Sequence, residues 1–246
     1  MKVTLLLTSL LVLVSCQTSL PANQSLAKIL PSNSPQASSL PLTNNPFIEV
    51  DAQGSTTLVS NVLEKAVEAI PKSDLNAKES EGLLLMREEE KLARDVYTEL
   101  AKRWPETPTF SNISRSESSH TESVRVLIER YQLSDPALSQ AGKFTSSALQ
   151  TLYEQLLNKG NASMIAALQV GLEIEELDIA DLQKLAAQLD QDDIRLVYQE
   201  LERGSRNHLR AFYKALLGAG GTYQAQHLSP ENFEQIANSQ MERGKN

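Results

Sequence analysis

The sequence predicts an all-α fold, a four-helix bundle with a long crossover between its second and third helices and accessory helices around it. Three observations lead there. From about residue 55 onward, apolar residues recur at the three-to-four spacing of amphipathic helices. Prolines, glycines and capping residues divide that stretch into four long segments and several short ones. No segment reads as a convincing strand, in keeping with a composition rich in Leu, Ala, Glu and Gln and poor in Gly.

The chain opens on Lys2 and an apolar run from Val3 to Val14, then Ser15 and Cys16. A charged start, a short apolar core and a small residue are the parts of a secretory signal, and the run is short for a bilayer span. Leu13-Val14-Ser15-Cys16 resembles the bacterial lipoprotein cleavage box. That resemblance implies cleavage before Cys16 and lipidation of its sulfur; an ordinary cleaved signal with an incidental cysteine is the alternative. Cys16 is the only cysteine, so no intrachain disulfide can form. Residues 16–54 read as a tether, in which Pro21, Pro31, Pro35, Pro41 and Pro46 alternate with Ser, Asn, Thr and Gln. Such a segment buries too little apolar surface to offset chain entropy. The expectation is therefore a signal over 1–15, a lipidated tether over 16–54, and a helical domain over 55–246 with its core at about 75–220. The implied location is the bacterial cell envelope, with the membrane as partner through lipid on Cys16 and the domain outside the cytoplasm. Gln17, in place of Asp, favours the outer membrane in a Gram-negative cell.

The elements follow in order. An opening helix is expected over 56–70 (Leu58, Val62, Leu63, Ala66, Ile70), stopped by Pro71. The first long helix, about 76–103, carries Leu83, Met86, Glu90, Ala93 and Tyr97 on one face and ends before Pro105 and Pro108. Ser111 suits the N-cap of the second, about 112–131, whose stripe is Ile113, Glu117, His120, Val124, Leu127 and Tyr131. Asp135-Pro136 breaks the chain, and a connecting helix over 145–158 ends at Lys159-Gly160. The third long helix starts near Asn161, reaches at least Leu177 and continues or kinks through Asp178 to Leu189. The fourth, about 191–217, aligns Val197, Leu201, His208 and Phe212 and stops at Gly218, Gly220 and Gly221. A short helix, 231–238, follows Ser229-Pro230 and packs outside. Four long amphipathic rods with one long crossover close into a bundle.

Composition excludes several functions. The formal charge is −8, and no basic stripe, Gly-rich phosphate loop, nucleophile elbow or cysteine zinc pattern is present. Nucleic acid is not an expected partner. The informative conflict is Glu117-Ser-Ser-His120. One helical turn separates two polar groups that project together from a stripe that should be apolar. Burying a carboxylate there is costly unless it is paired, and a metal is one such partner. Each long helix offers such a residue: Glu90, then Glu117 with His120, then Glu175 or Glu176, then His208. A Glu from each of two helices and Glu-x-x-His from the other two is the ligand pattern of di-metal bundles.

Bland readings compete. Glu117 can pair with Arg94 or Arg125, and His208 can join a hydrogen-bond cluster with Asn207 and Arg210. Glu88-Glu89-Glu90 reads mostly as a solvated face, Glu90 excepted. Tyr97 and Tyr131 read as core, with a supporting role at a site as the alternative.

Met86-Arg-Glu-Glu-Glu-Lys-Leu-Ala-Arg-Asp-Val-Tyr97, Phe110-Ser-Asn-Ile-Ser-Arg-Ser-Glu117, Ile174-Glu-Glu-Leu-Asp-Ile-Ala-Asp181 and Gly204-Ser-Arg-Asn-His-Leu-Arg-Ala-Phe212 together resemble the bacterial family of the domain of unknown function 2202, placed among ferritin-like, rubrerythrin-type bundles. The resemblance spans about residues 75–240. It implies Glu90, Glu117, His120, Glu175 and His208 as metal ligands, with Glu176 the rival of Glu175. Glu90 and His120 would hold one ion, Glu175 and His208 another, and Glu117 would bridge. One position departs from the pattern: three residues before His208 stands Ser205 in place of a carboxylate, and Glu202 is nearly two turns away. Oxygen and nitrogen donors without thiolate suit iron or manganese, with zinc a further occupant. Two functions remain open at this stage. One is a lipid-anchored metal protein, with oxidation of Fe(II) by oxygen or peroxide as its chemistry if it is an enzyme. The other is a non-catalytic envelope interaction module that has lost a complete site. A homodimer is compatible with either.

Overall fold

The computed structural model describes residues 45–243; the signal, Cys16 and the tether up to residue 44 lie outside the described residues. The fold is all-α. Among the described residues the helices are α1 (Ser60–Ala69), α2 (Ala77–Arg103), α3 (Pro108–Arg130), α4 (Ser147–Gly160), α5 (Met164–Ala186), α6 (Asp192–Gly218) and α7 (Pro230–Ala237). The four long ones, α2, α3, α5 and α6, form the bundle. α2 packs mainly on α3 and α5 on α6, while α2–α5 and α3–α6 contacts close the ring. The crossover joins α3 to α5, and α4 within it lies against α2 and α5.

Two expectations at the start of the domain need correction. Residues 56–58 are strand rather than helix: β1 (Ile48–Val50) and β2 (Thr56–Leu58) pair antiparallel with Ile48 opposite Leu58 and Val50 opposite Thr56. Asp51 Oδ1 accepts from the amides of Gln53 and Ser55, and Gly54 takes a positive φ of 89°, which closes the turn. Residues 45–54, assigned to the tether, are thus structured. Ile48 and Leu58 are buried, and the hairpin docks on α3 through Leu58 N to Ser119 Oγ and Ser55 Oγ to Asn112 O.

The helix ends follow local chemistry. Asn76 and Glu79 form a reciprocal capping box at α2. The other Glu79 oxygen accepts from the amides of Asp190 and Gln191, tying the start of α6 to the start of α2. α3 begins four residues earlier than expected, because Pro108 fits the first turn without an amide to satisfy; Ser111 is not its cap. α5 runs unbroken past Asp178.

The acidic run on α2 is also corrected. Glu88 and Glu89 are buried, because the crossover covers that flank. Glu88 accepts from the amides of Thr145 and Ser146, ahead of α4. Lys91 is buried beside it, bonded to Asp95 and to the carbonyls of Gln140 and Lys143. Periodicity along α2 cannot register a segment that folds over it from fifty residues away.

Apolar packing falls into two clusters. One gathers around Tyr97, Phe110, Leu172 and Phe212, the other around Met86, Val124, Leu182 and Leu201. Along α2, α3 and α6 a polar stretch separates the residues of the two clusters, and on α5 Glu175 and Asp178 interrupt the first cluster before Ile179. That polar layer is the candidate site.

Candidate metal centre

Glu117 stands at the middle of the layer. Its Oε1 is 2.8 Å from His208 Nδ1 and its Oε2 is 3.0 Å from His120 Nδ1. Glu90 Oε2 lies 3.5 Å from His120 Nδ1, and Glu175 Oε2 lies 3.7 Å from His208 Nδ1. The imidazoles stack at 5.2 Å between centroids and 17° between planes. All five side chains are buried, and Glu117, His120 and His208 each present a donor atom to one small volume. The structure therefore brings Glu90, Glu117, His120, Glu175 and His208 together from four helices.

The decisive feature is what these atoms lack. His120 Nδ1, His208 Nδ1 and Glu90 Oε1 are buried without any hydrogen-bond partner, although carboxylate oxygens stand beside both rings. Buried polar atoms are nearly always satisfied. Two donors each about 2.1 Å from one ion and at right angles around it lie about 3.0 Å apart. The separations around Glu117 match that spacing, so the donor set fits a cation.

Glu176 is corrected. It points away from the layer and accepts from Tyr223 Oη and from the amides of Gln226 and Leu228, which leaves Glu175 as the inward residue. The bland alternatives are corrected too. Arg94 pairs with Asp95, and Arg125 with Glu122 and Glu129. Arg210 bonds Asn207, not His208. Tyr131 bonds Asp193 at the start of α6. Tyr97 does support the site: its hydroxyl lies 2.6 Å from Glu175 Oε1 and donates to it.

Sequence reasoning missed the hairpin's part. Thr56 is fully buried at the imidazole end of the layer. Its carbonyl lies 2.9 Å from His120 Nε2 and its amide donates to His208 Nε2 at 3.2 Å. Ser116 Oγ donates to the same carbonyl and lies 3.0 Å from His208 Nε2. A carbonyl accepts only, so His120 keeps a proton on Nε2, and its neutral form presents a lone pair at Nδ1. The Thr56 amide asks the opposite of His208. For His208 to offer Nδ1 to a cation, its proton must sit on Nε2, where Ser116 Oγ can accept it. Gly204 makes room: a Cβ there would stand 2.4 Å from His120 Cε1.

Asp178 was also missed, having been read only as the place of a kink. It is buried, one turn beyond Glu175, and accepts from Ser205 Oγ. With Glu89, Glu90, Glu117, Glu175 and Ser205 it lines a cavity of about 10 Å³, roughly the volume of one water or ion. The available signal was the three-residue spacing from Glu175 to Asp178, the same spacing that singled out Glu117 and His120.

Electrostatics follows from burial without solvent. Burial, reinforced by Glu117, pushes Glu90 up to about 7 against the opposing pull of His120. Burial raises Asp178 well above the ordinary range, with Glu90 and Glu175 adding to it; burial raises Glu175 as well. Burial also acts to raise Glu117, but the two imidazoles outweigh it and hold that carboxyl well below its usual value. Burial opposes charge on His120, yet Glu117 and Glu90 raise it well above normal. Glu117 and Glu175 push His208 up to about 9 against the same burial. The Thr56 amide at Nε2 resists that second proton, so we take His120 as the ring that carries charge in the cation-free chain.

Residues 79–240 match the model of a family described as "Uncharacterized protein domain (DUF2202)". An uncharacterized protein of Methanocaldococcus jannaschii, MJ0754, is 44% identical over 181 residues, 73% of this chain and 97% of that protein. The crystal structure of the hypothetical protein MJ0754 is similar with a TM-score of 0.68 at 44% identity, covering 70% of this chain and 99% of that one. That relative is archaeal, which overturns the expectation of a bacterial, lipid-anchored envelope location. Among the described residues no helix is long and apolar enough to cross a membrane.

Proposed function

The chain belongs to the family of the uncharacterized protein domain DUF2202, and we propose that its bundle is a ferritin-like centre binding iron or manganese. Glu90, Glu117, His120, Glu175 and His208 hold the metal. The single observation that carries this reading is that His120 Nδ1 and His208 Nδ1, from two helices, are buried without partners on either side of Glu117. The donor chemistry supports it: carboxylates and imidazoles without thiolate suit iron and manganese, and accept zinc.

Iron held there would supply the Fe(II)/Fe(III) couple for reducing dioxygen or peroxide. The chain's own residues do the rest. Tyr97 orients Glu175, the Thr56 carbonyl orients His120, and Ser116 orients His208, as outer hydrogen bonds orient ligands in metal sites generally. The apolar clusters above and below the layer exclude water, so charge on the ligands is poorly screened and favours a cation.

The test is metal analysis of the purified chain after exposure to Fe(II), Mn(II) and Zn(II), beside a Glu117→Ala/His120→Ala double variant. We expect retained metal in the parent and almost none in the variant. Equal, near-zero metal in both would overturn the reading. Ser205 favours the alternative of a helical interaction module without metal. Under that alternative, neither EDTA nor Fe(II) shifts the melting midpoint, whereas a bound cation must shift it by mass action.

A further inference from the structure

We propose that Asp178 is a second bridging carboxylate of the centre, supplied by α5 in place of the acid that α6 lacks at Ser205. This rests on the metal-centre reading and deepens it.

Position 205 lies three residues before His208, so its side chain projects toward the layer from the same face of α6. What it carries is a hydroxyl, and that hydroxyl donates to Asp178. The space a fourth-helix carboxylate would enter is thus taken by a carboxylate from the neighbouring helix, fixed by the residue at the vacated position. Asp178 follows Glu175 by one turn, so both project together from α5. Glu117 joins the two imidazoles on one side of the layer. Asp178 shares with Glu90 and Glu175 the lining of the small cavity, and Glu90 Oε1 is buried there without a partner.

Charge supports the assignment. Glu90, Glu117, Glu175 and Asp178 are four carboxylates, the imidazoles are neutral as ligands, and two divalent cations balance these four; Glu89, a fifth carboxyl on the same cavity, has an unpartnered Oε2. One cation would leave two negative charges in a dry interior, where unpaired charge is costly. Counting Asp178 therefore turns an incomplete second position into a complete one and commits the centre to two ions.

The experiment is cation stoichiometry and affinity for the full chain, with Mn(II) as probe, read by elemental analysis and by electron paramagnetic resonance. The variants are Asp178→Asn and Ser205→Ala. Asp178→Asn keeps the shape and can keep the Ser205 hydrogen bond while removing the charge. The parent should hold two ions with the spectrum of a coupled pair, and Asp178→Asn one ion with an isolated Mn(II) spectrum. Ser205→Ala should weaken the second ion by at least about tenfold, the usual cost of losing a residue that orients a ligand. If Asp178→Asn fails to fold, Ser205→Ala and the rescue variant Asp178→Ala/Ser205→Glu, which returns the carboxylate to α6 and should bind two ions, carry the test. Two ions of unchanged affinity in Asp178→Asn, or in Ser205→Ala should Asp178→Asn not fold, would overturn the proposal while leaving the metal centre standing. A parent that binds a single ion does the same. A parent that binds none overturns the centre and the proposal together.

Discussion

At the scale of single residues, Glu90, Glu117, His120 and His208 are polar groups on otherwise apolar stripes, and burying such groups without compensation is costly. Glu175 and Glu176 could not be separated, since adjacent residues on a helix both border the inward face; the Tyr97 hydroxyl decides for Glu175 and the 223–228 segment claims Glu176. Tyr97→Phe should leave Glu175 with a buried oxygen missing a donor, at about 1–3 kcal/mol of stability in the cation-free chain. It should also weaken cation binding by roughly tenfold or more. Denaturant titration with and without Mn(II) measures both. Gly204→Ala tests the opposite fault, too much volume. The added methyl would meet the His120 ring at 2.4–2.7 Å, and that ring is held by Thr56. We expect a loss of about 1–3 kcal/mol from overpacking together with loss of cation binding, seen as a melting midpoint that Mn(II) no longer raises.

At the scale of elements, the long helices were readable because each carries several turns of repeating pattern bounded by proline, glycine or a cap. The hairpin was not. Three-residue strands give too little alternation to distinguish from a loop, and Pro46 with its polar neighbours made the segment look like tether. Yet the sequence held a turn signal in Asp51 and Gly54 and a β-branched run in Thr56-Thr57. The hairpin's role is made by backbone atoms, which carry no residue-specific signature. One deletion and one substitution separate the parts. Removing residues 45–58 takes away the carbonyl that fixes the His120 ring, so cation affinity should fall about 10- to 100-fold while helical circular dichroism persists. Thr56→Ala removes the side-chain bonds with Asn207 and with the Gly54 carbonyl and keeps the backbone, so cation affinity should stay unchanged. Equal loss in both would mean that the Thr56 side chain, not the hairpin backbone, governs the site.

At the scale of the whole molecule, four helices enclose a charged layer between two apolar clusters, so cation, protons and folding are coupled. In the cation-free chain, Glu90 rises from its ordinary 4.5 to about 7, and His120 is raised above its ordinary 6.5. The folded state thus holds protons that the unfolded state has already released. Stability from these groups is complete at low pH and is lost as pH climbs, from about 4.5 to 7 for Glu90 and above 6.5 for His120. Glu90 alone accounts for an amount of order 3 kcal/mol. Glu117, held low, contributes a stabilisation that fades only in acid below its ordinary value, so it stays constant across this window. The melting midpoint of the cation-free chain should therefore fall between pH 5 and pH 8. A cation replaces those protons, and its apparent affinity must rise over the same window. The midpoint gained by adding Mn(II) should then be larger at pH 8 than at pH 5, and calorimetry in buffers of different ionisation enthalpy should show proton release on binding. A gain independent of pH would place the cation on groups that carry no protons at neutral pH, such as the exposed acids of the surface, and away from the layer where Glu90, Glu117 and His120 meet.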